Sequence, residues 1–144
     1  MKTTDTFMNQ ETKRVFKIRH QLNCKSKHFI YLLECIICNN KAYVGKCETS
    51  GHLRINNHRS DAKRTGSIAV DAHFAQTNHD FDKHARFTFI EKITKTDLTP
   101  VEMTDLLHRR EDFWIIKLGT IENGFNDKLN LTYTPLQIRA IKNA

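Results

Sequence analysis

Two tyrosines, Tyr31 and Tyr43, stand on either side of a Cys-x2-Cys pair, Cys35 and Cys38. Arg54 and His58 follow at i, i+4 spacing, then His73 and His79, and much later Glu111. Thiolates and imidazoles together favour Zn²⁺ over hard cations, and a set of four protein ligands closes the coordination sphere, which marks a structural ion. Cys35, Cys38, His73 and His79 are the expected set. Cys24, Cys47 and His84 are rival ligands, and two buried thiols beside two surface histidines are the ordinary alternative. Arg54 and His58 share one helix face, which suits an anion. Glu111 falls among apolar residues. A carboxylate there is costly unless it is paired, reaches water or binds a cation.

These residues need elements to hold them. Phe29 to Glu34 and Ala42-Tyr43-Val44 read as two strands, with turn-forming Asn39 and Asn40 between them. They form an antiparallel hairpin. A loop centred near Ile37 sets Tyr31 opposite Tyr43, with both phenols on one face, whereas a one-residue slip separates them. Thr49-Ser50 caps a helix over residues 51–64 that is poor in apolar residues and carries Arg54, His58, Arg59, Lys63 and Arg64. A second short helix spans residues 67–76, anchored by Ile68, Val70 and Phe74. Residues 86–92 alternate as a third strand.

The clearest helix begins at Thr99-Pro100-Val101-Glu102, a capping box with proline at the first helical position, and runs to Leu118 before Gly119. Met103, Leu107, Glu111, Trp114 and Leu118 form one stripe. Residues 129–133 read as a short terminal strand. Val15, Phe16 and Ile18 suit an edge strand or a short helix, and residues 1–12 a frayed tail. The division expected is a basic extension over residues 1–27, a domain over 28–133, and a tail or short helix over 134–144. The fold class expected is α/β (α+β): a small, mainly antiparallel three-stranded sheet flanked by helices.

The chain has 144 residues, enough for one domain with a real core. Its net charge of +7 suits a polyanionic partner, nucleic acid by default, with a merely soluble basic protein as the alternative. Apolar runs are too short for a membrane span, and the N-terminal stretch lacks the apolar core of a secretory signal. Reduced thiols and an intracellular location are therefore expected.

Phe29-Ile30-Tyr31 followed by Tyr43-Val44-Gly45 resembles the paired signature of GIY-YIG nucleases. Arg54 with His58 is similar to that family's helix motif, Glu111 to its metal-binding glutamate, and Gly124-Phe125-Asn126 to its closing Gly-Leu-Asn. The ordered set spans residues 28–127. Phe29 and Phe125 depart from the usual glycine and leucine, which touches packing more than chemistry. The cysteine pair, the two later histidines, and the stretches 18–35 and 56–61 resemble the endonuclease domain of Penelope-like retroelements, which is joined to a reverse transcriptase domain.

The resemblance implies a DNA endonuclease that hydrolyses phosphodiester bonds, nicking DNA for retroelement integration, with a nuclear location. It implies one Mg²⁺ (or Mn²⁺) on Glu111, since one carboxylate with several waters commonly holds that ion. Arg54 would clamp the phosphate. Tyr31 is favoured as general base, with nearby cations lowering its pKa and His58 relaying the proton, while Tyr43 holds water or phosphate; the two tyrosine roles could be exchanged. Asn126 orients a tyrosine, closes the site or simply forms a turn. Lys46, Arg59, Lys63 and Arg64 are the expected DNA contacts. A catalytically silent, zinc-stabilised nucleic-acid-binding module is the rival reading, and a repair or restriction-type nuclease of the same fold is the other.

Overall fold

A computed structural model of the chain describes residues 6–9, 15–17, 26–64 and 68–144. Its centre is a three-stranded antiparallel sheet in the order β4-β3-β5, with β3 at Phe29–Cys35, β4 at Lys41–Cys47 and β5 at Ala85–Lys92. All seven residues of β3 are buried, as befits the middle strand. Alternation divides them between two cores. Phe29, Tyr31, Leu33 and Cys35 pack with Val70, Phe74, Phe81 and Phe87, while Ile30 and Leu32 pack with Leu107, Ile115 and Leu118.

The hairpin forms, but its register differs from the sequence expectation. Tyr31 pairs with Gly45, and Leu33 with Tyr43. The turn is centred at Cys38, where Asn39 and Asn40 take φ of 53° and 57°, the left-handed region that asparagine tolerates. The tyrosines are therefore diagonal neighbours instead of facing ones. The offset is even, so both rings stay on one face, 6.2 Å apart between centroids.

Two sets of helices cover the sheet. Gly51–Ala62 (α1), Ala69–Phe74 (α2) and Phe81–His84 (α3) lie on the Tyr31 face. Ser50 caps α1 by accepting from the Leu53 amide. The long helix α4, Pro100–Leu118, lies on the other face. Its capping box is present as expected, and Gly119 ends it in the left-handed conformation (φ 66°) open to a residue without Cβ.

The chain ends depart from expectation. Thr6–Met8 (β1) is not part of a frayed tail: it pairs antiparallel with Val15–Lys17 (β2), and Phe7 is buried against Trp114 and Phe16. Residues 129–133 form no strand. Asp112 of α4 holds them instead, accepting from the amides of Asn130 and Leu131 and from the Tyr133 hydroxyl. Pro135–Asn143 forms a helix, α5, with a capping box of its own. No helix among the described residues is long and apolar enough to cross a membrane.

Candidate functional site

Tyr31 is fully buried, and its hydroxyl is the centre of a polar chain. Arg54 Nε donates to it at 2.9 Å, and His58 Nε2 lies 2.7 Å away. On the far side of the ring, His58 Nδ1 is 2.7 Å from Asp71 Oδ1. An ionised carboxylate only accepts, so Nδ1 carries the proton and Nε2 is left to accept from the phenol. The four groups come from three elements: Tyr31 from β3, Arg54 and His58 from one face of α1, Asp71 from α2. Sequence reasoning missed Asp71. A single acid in Ala-Val-Asp-Ala-His-Phe reads as an exposed helix residue, yet it is 1% exposed.

Burial holds the Tyr31 phenol well above its usual range, with Tyr43 adding to the shift and Arg54 opposing it. Tyr43 is also raised, by burial first and then by Glu111. The expectation that cations lower the tyrosines is thus not met in the protein alone. Desolvation outweighs one guanidinium.

Gly45 makes room for this arrangement. A Cβ at that position would overlap the ring and the oxygen of Tyr31. The glycine is needed because the two-residue register offset lays the Tyr31 side chain across the Gly45 backbone.

Glu111 reaches this region from the opposite face of the sheet. It can do so because β4 is an edge strand, and α4 carries the carboxylate round its side. Glu111, Tyr43, Lys46 and Arg54 line one cavity of about 430 Å³. Glu111 Oε1 accepts from Asn130 Nδ2 at 2.7 Å, and no lysine or arginine pairs with the carboxylate among the described residues. Burial raises its pKa, opposed by that hydrogen bond and by Lys46. A buried acid beside a cavity, with one oxygen uncommitted to any described residue, fits a divalent cation better than a structural ion pair.

Asn126 hydrogen-bonds to neither tyrosine. Its side chain pairs with the backbone of Val44 in both directions, Oδ1 accepting at 2.8 Å and Nδ2 donating at 2.9 Å, and Oδ1 also accepts from Thr120 Oγ1. It occupies the open edge of β4 and so fixes the strand that carries Tyr43. Of the expected DNA contacts, Lys46 lines the cavity and Lys63 and Arg64 are exposed past the end of α1. Arg59 is turned to Asp82, at 2.7 Å.

The ligating atoms of Cys35, Cys38, His73 and His79 all lie within 4.8 Å of one another. Cys38 Sγ and His79 Nε2 are 3.4 Å apart, close to the ~3.6 Å that tetrahedral zinc with Zn–S ~2.3 Å and Zn–N ~2.0–2.1 Å requires. Nε2 of His73 is buried with no hydrogen-bond partner, an expensive state for imidazole unless an ion is held there. Burial, then His79 and Lys41, hold His73 below its usual range and keep it neutral, the form that ligates. Burial pushes the Cys35 thiol up to about 11. The cluster could therefore hold a metal ion. Of the rivals, Cys47 bonds to Thr49, His84 accepts from the Asp80 amide with its ring 6.2 Å from that of His79, and Cys24 lies outside the described residues.

Both departures from the family signature fill the core. Phe29 packs on Phe89 and Tyr31, and Phe125 lies 4.6 Å from the ring of His73.

No protein-family model matches the chain, and no curated protein matches it. Among solved structures the chain is similar to the catalytic domain of the intron endonuclease I-TevI, solved with a glutamate-to-alanine change. The identity is 25%, the match covers 73% of this chain and 96% of that one, and the TM-score is 0.52. The fold, a small α+β domain with a three-stranded antiparallel sheet, matches that of a GIY-YIG nuclease domain.

Proposed function

We propose that the chain is a metal-dependent DNA endonuclease. The observation that carries this reading is the hydrogen-bonded set Arg54–Tyr31–His58–Asp71 beside the cavity that Glu111 shares with Arg54 and Tyr43. Its likeness to an intron endonuclease's catalytic domain supports it.

Hydrolysis of a phosphodiester needs an activated water and compensation for charge on the phosphate oxygens. Arg54 lines the cavity and presents a planar fork of donors to a phosphate. As it turns to the phosphate it uncovers the Tyr31 hydroxyl. Tyr31 is the phenol with a route for its proton: to His58 Nε2, whose opposite N–H is held by Asp71. A water at Tyr31 loses its proton along that route. Tyr43, at the cavity wall, hydrogen-bonds the water or the phosphate. Glu111 would hold Mg²⁺ or Mn²⁺, which supplies Lewis acidity toward a phosphate oxygen and the leaving 3′-oxygen. Cys35, Cys38, His73 and His79 would hold Zn²⁺, and that bond set would tie the hairpin tip to α2, the helix of Asp71. Lys46, Lys63 and Arg64 guide DNA to the cavity. A role in nicking DNA for a retroelement, joined to a reverse transcriptase in the nucleus, rests on the sequence stretches 18–35 and 56–61.

The test is nicking of supercoiled plasmid with Mg²⁺ or Mn²⁺ by the wild type, Tyr31→Phe, Arg54→Ala and Glu111→Ala. Nicking by the wild type, lost in all three variants, is expected. DNA binding without nicking by the wild type would support the silent zinc-stabilised module. Undiminished nicking by Glu111→Ala would remove the metal assignment.

A further inference from the structure

The cavity of Arg54 is one of two that meet at the same edge. Tyr43 and Glu111 line both. The second, about 560 Å³, opens toward Lys41 and Lys128 and has Ile68 and Phe125 in its wall. Beyond that shared edge, the proposed reaction makes no use of it. We propose that this second recess binds the nucleotide adjoining the cleaved linkage, with its outer phosphate on Lys41 and Lys128 and its sugar and base against the apolar wall. This rests on the endonuclease reading.

Three observations carry it. The volume lies within the roughly 300–1,000 Å³ range in which small organic groups bind. Continuity through Tyr43 and Glu111 means that a strand placing one phosphate against Arg54 sends its next residue over that shared edge. The lining also suits one unit of such a strand. Two exposed lysines stand at the rim beside Asp127, and Lys41 Nζ sits 4.8 Å from the centroid of the Phe125 ring, where the wall turns apolar. Lysine meets phosphate as a point charge, without fixing the orientation of the group.

The same recess binds without regard to base identity. Its two asparagine side chains, the neutral groups best suited to reading a base edge, already hold hydrogen bonds within the protein. Asn126 is bonded to Val44 and Thr120, and Asn130 Nδ2 to Glu111 and Asp112. What remains is charge and apolar surface, neither of which distinguishes one base from another.

The experiment measures DNA binding by fluorescence anisotropy across a salt series, without added Mg²⁺ or Mn²⁺ so that the DNA stays intact. It uses two duplexes of unrelated sequence and compares the wild type with Lys41→Ala/Lys128→Ala. Lys92→Ala/Lys95→Ala removes the same charge from exposed positions outside the recess. The recess double variant is expected to lose affinity about tenfold. Its log K against log salt slope should shrink by about 0.9, the value for one phosphate contact. Both effects should be equal on the two duplexes, with the control pair retaining the wild-type slope. Lys128→Ala alone, in a loop, serves if the double variant misfolds.

A recess variant that binds with wild-type affinity and slope, while the wild type nicks plasmid, overturns the proposal and leaves the endonuclease reading intact. An equal loss in the control pair overturns it in favour of long-range attraction. A loss confined to one duplex overturns the base-independent part. A wild type that neither binds nor nicks DNA removes the endonuclease reading itself.

Discussion

His58 Nε2 stands 2.7 Å from the hydroxyl of Tyr31, and its other nitrogen is 2.7 Å from Asp71. A phenol, an imidazole and a carboxylate thus form one line in the interior, with Arg54 on the phenol from the cavity side. The line gives a weak acid a partner to receive its proton, which burial alone would prevent.

Tyr31→Phe removes the only hydroxyl on that line and keeps the ring that packs on Phe87. Nicking should fall about 10²–10⁴-fold, the usual range for a general base, with the fold retained by circular dichroism. Tyr43→Phe should lose less. Because the Tyr31 pKa is raised, its phenolate is scarce at neutral pH and grows about tenfold per pH unit. Log rate should therefore climb with pH between 6 and 9, and Tyr31→Phe should flatten the climb.

Asp71→Asn preserves the shape of the side chain but removes the charge that opposes a positive imidazole. The expected loss is about 10²-fold or more in kcat, with little change in DNA affinity. Single-turnover nicking beside anisotropy separates the two. A residue that merely supported α2 would lower thermal stability without altering the pH profile.

Glu111 is held with a raised pKa, chiefly by burial. Its folded pKa lies above the unfolded value, so the stability from this group is present at low pH, as the neutral acid. It is lost as pH rises through the folded pKa. At pH 7 without metal, the carboxylate is a burden that Glu111→Gln relieves, while the amide oxygen still accepts from Asn130. Thermal melts without added Mg²⁺ or Mn²⁺ should show the variant more stable by about 1 kcal/mol, or ~3 °C, and plasmid assays should find it inactive.

Cys35→Ser should cost the purified protein one equivalent of zinc, read by elemental analysis. It should also lower the melting temperature by roughly 10 °C or more, since an ion on four protein ligands contributes directly to folding. Zinc added to apo-protein should release protons, because burial keeps the Cys35 thiol protonated near pH 7. A wild type without zinc would refute the site.

What was legible in the sequence was local. The capping box at Thr99 and Glu102 rests on four adjacent residues, and α4 begins and ends where they place it. The phenols share a face because parity survives any even offset, even though Asn39 and Asn40 move the turn by one position and the pairing by two. The metal cluster was readable from residue type, since few other arrangements bring two thiols and two imidazoles together. What was hidden depends on partners distant along the chain. Asp71 gains its meaning only when α2 packs against α1, Asn130 only when Asp112 gathers residues 130–133, and Phe7 only when Trp114 covers it.

The bare backbone at Gly45 has a bearing on how such a domain can fail. Alanine there would leave every strand pairing available, yet the added methyl would push the aromatic ring out of its slot and uncouple it from the imidazole. On the endonuclease reading, such a variant would still hold its sheet and dock on DNA, yet would not cut it. A single added carbon would then separate a cutting domain from an inert look-alike.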